Sequence, residues 1–198
     1  MNALLEGDDL DNLVARAVSY ELQGPDAVVE LKLDPQGIIL EQPNWRVVCR
    51  GVWHSRTTDT GPDLKVFDHD HPLSRQHTDW RADLYFRGAP RSASLVIGQL
   101  FTAHQHAFRP WIPFERYLGM VQLQELLEGG FGQLAAGPEF VLEVYIPVLQ
   151  ANGVLPSLVR TYKPKRDFSS DPNGVAPSLA QLGHFLVLAE RFDVAPIA

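Results

Sequence analysis

The chain of 198 residues is short of cysteine and of positive charge. Its one cysteine, Cys49, excludes an internal disulfide framework and fits a reducing compartment. With 17 Lys and Arg against 24 Asp and Glu, the net charge is −7. General nucleic-acid binding needs clustered cations along the phosphates, so we expect no nucleic-acid partner.

Long hydrophobic runs are missing as well. No window approaches the roughly 18 apolar residues that a bilayer-spanning helix needs. Residues 1–9 have neither the basic region nor the apolar run of a signal peptide. The sequence therefore predicts an acidic, cytoplasmic protein with no membrane partner. A hydrophobic fraction of 45% is enough for a packed core without a disulfide or metal staple.

Residues 80–108 carry the clearest secondary-structure pattern. Apolar and polar residues alternate over 80–87, which predicts a strand with one buried and one exposed face. Over 93–108 the apolar residues recur at helical spacing, and Ser92 is placed to cap the first turn. A half-buried strand followed by an amphipathic helix indicates a sheet with a helix packed across it.

The remaining segments alternate between strand and helix patterns. Helices are expected at 10–22, 121–128 and 138–149, the last of them kinked at Pro147. Strands are expected at 27–33, 37–41, 45–53 and 154–162.

Three stretches are less regular. Residues 55–79 lack periodicity and predict a long loop with a short strand at 64–67. Residues 163–178 predict a flexible linker or flap before a C-terminal element at 179–195, which fits a strand or a helix. The whole pattern predicts a single α+β domain over 1–198, with an antiparallel sheet of five to seven strands and helices packed mainly on one face.

The loop at 55–79 contains the most suggestive chemical cluster. His69, His71, His77 and Asp79 combine imidazole and carboxylate groups, which suit zinc or another divalent ion. The spacing does not match the metallo-β-lactamase pattern, which requires an Asp-His pair soon after the second histidine. A small metal-dependent hydrolase or metal-binding domain is therefore an alternative function, and a solvated polar loop is the simpler interpretation.

Other candidate catalytic residues have simpler explanations. Helical geometry separates His104 and His106 by about 200° around the axis, so His104 is expected to be a packed, hydrogen-bonded histidine on the apolar face. Cys49 lies on the inward face of its strand, where it is expected to be a small buried side chain. The glycine-rich residues 129–132 lack the ending of a phosphate-binding loop and are expected to end a helix. No catalytic residue is predicted.

The segment 109–117 has the composition of an interface hot spot, with Arg109, Trp111, Phe114 and Tyr117 beside two prolines. The same aromatic residues could instead plug one end of the core beside the central helix. We predict a non-catalytic intracellular interaction or accessory protein that binds another protein, or itself as a homo-oligomer, through this segment.

A pocket for a small molecule between sheet and helix is the second alternative. No cofactor is expected, apart from the divalent metal ion of the first alternative.

Overall fold

A computed structural model describes six stretches of the chain, which are residues 13–35, 44–58, 63–68, 70–119, 122–164 and 177–197. They form a mixture of helices and strands with two antiparallel sheets, so the predicted α+β class is confirmed. The chain divides into two compact units, residues 1–74 with 175–198 and residues 75–174. The sequence predicts one sheet, and the structure has one in each unit. The single-domain assignment stays a prediction.

The strands are, in chain order, β1 (Leu13–Gln23), β2 (Asp26–Pro35), β3 (Asn44–Thr57), β4 (Asp63–Phe67), β5 (Arg81–Arg87), β6 (Phe131–Pro138), β7 (Leu155–Tyr162), β8 (Ser178–Gly183) and β9 (Phe185–Pro196). The helices are α1 (Pro72–Thr78), α2 (Ala93–Phe108), α3 (Leu123–Gly129), α4 (Glu139–Glu143) and α5 (Ile146–Ala151), with a 3₁₀ turn at Phe114–Arg116. None of the helices in the described stretches combines the length and the apolar character that a membrane crossing requires.

The first unit is built on a six-stranded antiparallel sheet in the order β1-β2-β3-β9-β8-β4. The sheet rolls up, since β1 contacts both β4 and β8. Small and branched side chains fill its inside, and Cys49 is fully buried among them, as expected. The buried members of this core are Ala27, Val29, Leu31, Val47, Cys49, Ala180, Leu182, Val187 and Ala189.

Gly183 allows β8 to approach β1. Its backbone is left-handed, with φ at 63°. A Cβ at this position would lie 2.7 Å from the amide nitrogen of Ala17 and 2.9 Å from the carbonyl oxygen of Ala15. Beside this contact, the ring of Tyr20 stacks on Phe185 with centroids 4.6 Å apart. Both the backbone conformation and the close approach therefore require glycine.

The second unit has a three-stranded antiparallel sheet in the order β6-β5-β7. Its central strand alternates, with Ala82, Leu84 and Phe86 buried in the same core as the apolar face of α2. The Ser92 hydroxyl accepts a hydrogen bond from the Leu95 amide and caps α2. The strand and the helix predicted within 80–108 are confirmed.

The predicted helix at 10–22 is wrong, because residues 13–23 form β1. The strand contains a bulge between Ala17 and Ser19, where the register against β2 shifts by one residue. Ala15, Ala17 and Tyr20 therefore share the inner side of the strand. The helical pattern comes instead from Val14, Val18 and Leu22, which recur every four residues, although Val18 and Leu22 are 67% and 60% exposed on the extended strand.

Other differences follow from pairing between distant strands. The predicted loop at 55–79 begins as the end of β3 and contains α1, while its short strand is confirmed as β4. Residues 131–138 form β6 where no strand is predicted. Residues 179–195 belong to two strands joined at His184. The predicted strand at 37–41 and most of the linker at 163–178 lie outside the described residues.

Candidate functional site

The strand register of the second unit assembles a continuous outer surface on the side of its sheet opposite the core. Residues paired across antiparallel strands point to the same side. Phe131 and Leu155 therefore flank Arg87, and Val159 stands beside Asp83. Apolar residues from both outer strands thus meet the polar face of β5.

The large apolar side chains of this surface are widely exposed. The exposed fraction is 74% for Phe131, 67% for Leu155, 59% for Tyr162 and 47% for Val159. Single exposed apolar residues are ordinary, but contiguous groups with polar residues around them mark interaction sites. We call this group the outer patch, which consists of Tyr85, Arg87, Phe131, Leu155, Val159 and Tyr162.

Arg87 is the charged residue of this surface that is available to pair with a ligand. The Asp83 carboxylate accepts a hydrogen bond from Gln133 Nε2 at 2.9 Å. The Arg81 guanidinium donates to the Gln76 carbonyl oxygen at 3.0 Å. Within the described part of the chain, no side chain forms a hydrogen bond or an ion pair with Arg87. The outer patch therefore combines apolar area with one uncommitted positive charge.

The core behind the sheet holds the outer patch in place. Arg160 of β7 reaches to the inner side, where its Nε lies 2.8 Å from both carboxylate oxygens of Glu139 at the start of α4. Glu139 is 9% exposed, so this pair fixes β7 from a largely buried anchor. Leu158 of the same strand packs against the core. The strand that carries Leu155 and Val159 is thus supported from behind.

Part of the outer edge of β6 is covered by the chain itself. The Ala136 amide donates to the Tyr117 carbonyl oxygen at 3.1 Å, and Leu118 forms an isolated bridge with Ala135. Residues 117–118 thereby occupy backbone groups that an edge strand would otherwise expose. Proteins commonly block sheet edges in this way, because an open edge is a template for pairing with another chain.

The edge at β7 differs from the edge at β6. On one side β7 pairs with β5, and no described strand pairs with the other side. Its eight residues include Pro156 and a single charged residue, Arg160. Charged side chains and prolines are the usual protection of an edge, and β7 has little of either. The outer patch is therefore continuous with a strand edge that no described strand occupies.

The predicted partner segment lies mostly inside the second unit. Phe114 is buried, Trp111 and Tyr117 are half-buried, and Arg109 is exposed. The Tyr117 hydroxyl donates to Gln76 Oε1 at 3.3 Å. These aromatic residues plug the end of the core, as the alternative interpretation expects. The partner surface at 109–117 stays a prediction, with Arg109 as its exposed member.

A fully buried histidine ties this segment to the core. His104 Nε2 lies 2.8 Å from the Ile112 carbonyl oxygen, and Nδ1 lies 2.8 Å from the Tyr145 hydroxyl. A carbonyl can only accept, so Nε2 carries the proton and Nδ1 accepts from Tyr145. The expectation of a packed, hydrogen-bonded His104 is confirmed. Burial lowers the pKa of His104 and raises the pKa of Tyr145, which favours the neutral form of both groups.

The residues of the predicted metal site have local structural contacts. His71, in the first unit, packs against Phe67 with the two rings tilted by 54°, and its Nδ1 accepts a hydrogen bond from the Leu73 amide. Burial, and then the charges of Arg56 and Lys65, lower the pKa of His71 to about 4. The same positive charges oppose a metal cation at this ring.

In the second unit, Asp79 accepts hydrogen bonds from the amides of Trp80 and Phe140 and pairs with Arg75. His77 lies in the last turn of α1. No group of three or more His, Cys, Asp or Glu that could hold a metal ion occurs among the described residues, which do not include His69. The metal site stays a prediction.

Two further features lie apart from the outer patch. A groove of about 720 Å³ lies along α2 and includes Gly98, Thr102 and His106 in its lining. These residues lie on the side of α2 away from the core, whereas the small-molecule alternative places a pocket between sheet and helix. Burial and the charge of Asp26 raise the pKa of Cys49 to about 12, so its thiol is a poor nucleophile at neutral pH.

Part of the outer patch has a signal in the sequence. The exposed side of 80–87 is predicted, and so is the strand at 154–162. Phe131 is missed, because the glycines around it at 129–132 indicate a helix end. Gly130 does cap α3 in a left-handed conformation, and β6 starts at the next residue.

Comparison with known proteins does not assign the chain to a family. No protein-family model matches the chain, and no curated protein or solved structure matches it significantly.

Proposed function

We propose that this protein is a non-catalytic, intracellular interaction protein whose contact surface is the outer patch. The observation that carries the proposal is the exposure of Phe131, Leu155 and Val159 around Arg87 on one supported sheet face. Aromatic residues and arginine are the residue types that supply most binding energy in protein interfaces. The proposal keeps the predicted class of function and moves its surface away from 109–117.

The occupant is a partner protein that presents carboxylate and apolar side chains together. Arg87 is exposed between two apolar side chains, so a carboxylate placed there would gain a charge pair while its neighbours cover Phe131 and Leu155. Charge complementarity argues against a second copy of the chain, since two outer patches facing each other would both present Arg87 and neither would supply a carboxylate near it.

Nucleic acid is a weaker candidate for the same surface. Exposed aromatic side chains on a sheet can stack on bases, but phosphate binding requires several clustered cations. On this face Asp83 stands between Arg81 and Arg87 along β5, which lowers the positive potential. The surface is therefore better matched to an acidic protein segment.

Selection from a phage-displayed random peptide library tests the surface. Wild-type protein should enrich peptides that combine acidic with large apolar residues. The Arg87→Glu variant should lose those peptides, because a like-charge contact costs several kcal/mol. Arg109→Glu makes the same charge change on the segment 109–117 and should leave the enrichment unchanged.

Other outcomes would overturn the proposal. Loss of enrichment with Arg109→Glu alone would return the contact surface to 109–117. Identical peptides from all three proteins, or none from the wild type, would remove the outer patch as a binding surface. A dimer in analytical ultracentrifugation that Arg87→Glu dissociates would make a second copy the occupant.

A further inference from the structure

We infer, on the basis of the proposed function, that the partner contributes an extended acidic and apolar segment that pairs with β7 as a fourth strand of the sheet. The proposal names a binding mode and a ligand class: backbone hydrogen bonds along β7, apolar side chains on alternate positions, and a carboxylate near Arg87. Strand addition of this kind is a general way for a sheet to bind a peptide.

The backbone of β7 is suited to such pairing. The strand has eight residues, and all of them except Pro156 carry an amide hydrogen. In an antiparallel edge strand, alternate residues direct their amide and carbonyl groups away from the paired neighbour. At β6, Ala135 and Ala136 meet residues 117–118 on the outer side, whereas no described strand meets the outer side of β7. The two edges of one small sheet thus differ in a way that selects β7 for a partner.

The side chains of β7 determine what the added strand must present. Leu155, Ser157 and Val159 are paired with Arg87, Tyr85 and Asp83, so they belong to the outer side of the sheet. A strand added about 4.8 Å further out would place every second side chain beside them. Apolar side chains at these positions would extend the outer patch by one row, which favours β-branched or aromatic residues in the ligand.

The position of Arg87 adds a charge requirement. Arg87 lies on β5, directly across Leu155 from the place of the added strand, at a distance of about 10 Å between the two backbones. Arginine and glutamate side chains together span this distance over the apolar surface of Leu155. A glutamate or aspartate at the end of the segment that lies beside Leu155 therefore completes the match.

A set of synthetic peptides tests the pairing directly. The probe is a fluorescent peptide as long as β7, with glutamate at one end followed by alternating threonine and valine, so that the valines share the face of the glutamate. Single backbone N-methylation is then moved along it one residue at a time, with unchanged wild-type protein. Strand addition predicts that every second position weakens binding about tenfold or more, because only those amides donate to β7.

Protein variants provide the matched comparison. Val159→Lys places a charge on the open edge and should weaken peptide binding about tenfold or more. Val66→Lys makes the same change at a valine of similar exposure, 41% against 47%, on the edge strand β4 of the other unit, and should have no effect. Circular dichroism melting checks that both variants are folded.

The results separate this inference from the proposed function. If the peptide binds and Arg87→Glu weakens it, but no N-methyl position matters, the outer patch binds ligands without strand pairing and the inference is wrong. If the peptide does not bind, or if Val66→Lys weakens binding as much as Val159→Lys, the inference is also wrong. Failure of the peptide-library selection would instead remove the proposed function itself.

Discussion

The six-stranded sheet of the first unit buries both faces of β8 and of part of β9, whereas the three-stranded sheet of the second has one exposed face and an edge that no described strand occupies. In the first unit, residues 179–182 and 186–189 are buried on both sides of the sheet, and β1 contacts β4 and β8. In the second unit one face is packed, and the other presents Phe131 and Leu155 with most of their surface exposed.

The apolar side chains of the outer patch are exposed although other segments of the second unit cover neighbouring surfaces of the same sheet. The same chain covers part of the edge of β6 with residues 117–118 and packs the core of the unit against the other face of the sheet. Large apolar side chains are also exposed elsewhere, such as Val18 and Leu22 of β1, but those of the outer patch lie together on one sheet face. Contiguous exposed apolar area carries a risk of aggregation, so its presence here needs a reason. Binding is the reason that we propose, and substitutions in each unit can test the contrast.

The largest effect on the free energy of unfolding is expected at His104, the buried polar side chain in the core of the second unit. His104→Leu leaves the Tyr145 hydroxyl and the Ile112 carbonyl without their partner, which should lower the free energy of unfolding by about 4 kcal/mol. His106→Leu, two residues further along the same helix and exposed, is the matched control and should change it by less than about 0.5 kcal/mol. Urea denaturation measures both, and equal effects would contradict the role of His104.

The next largest effect is expected at Gly183, where β8 approaches β1 in the first unit. Gly183→Ala should destabilise that unit by about 3 kcal/mol, because it combines left-handed strain with a Cβ only 2.7 Å from the Ala17 amide. Gly24 has nearly the same φ, and a Cβ added there would have no atom within 4 Å, so Gly24→Ala should cost only about 1 kcal/mol. Hydrogen exchange resolved by mass spectrometry reports each unit separately. A similar loss in both variants would mean that the roll of the sheet does not depend on this approach.

A pH prediction compares the two units through their histidines. Burial is the first cause that lowers the pKa of both His71 and His104, and for His104 it outweighs the Ile112 hydrogen bond and the Glu115 charge. An unfolded histidine has a pKa of about 6.5, so below that pH the unfolded state binds more protons than the folded state. Stability is therefore complete above about 6.5 and decreases as the pH falls, down to about 4 for His71.

The size of this decrease is at most about 1.4 kcal/mol per pH unit for each histidine. His71→Gln should make the decrease shallower in the first unit and leave the second unchanged. Hydrogen exchange at about pH 7 and about pH 5 measures this, and an unchanged slope in the first unit would show that His71 does not link its stability to pH.

Local patterns predicted the parts of the fold in which neighbours along the chain determine the structure. The strand and helix within 80–108 have uninterrupted periods, and both are confirmed. The segment at 13–23 misleads because Val14, Val18 and Leu22 recur at helical spacing, although Val18 and Leu22 are exposed on β1. The strand β6 has small residues and glycines, and its extended state depends on pairing with β5, which no local pattern contains.

The outer patch could be predicted only in part for the same reason. The exposed side of β5 and the strand at 154–162 are both visible in the sequence. Their adjacency is not, because antiparallel pairing between β5 and β7 joins segments separated by the helices of the unit. The aromatic residues of 109–117 show the opposite case, since their composition suits an interface as well as a core, and only burial distinguishes the two.

The smallest change in the free energy of unfolding is expected on the exposed face of β7, and it tests directly whether the outer patch contributes to folding. Leu155→Ser changes a side chain of β7 that is 67% exposed, so the free energy of unfolding should change by less than about 0.5 kcal/mol. Leu158→Ser makes the same change on the opposite face of the same strand, where the side chain packs against the core, and should cost about 1–3 kcal/mol. Urea denaturation of the two variants gives the comparison. If Leu155→Ser were as destabilising as Leu158→Ser, the outer patch would contribute to folding, and its exposure would no longer favour a binding function.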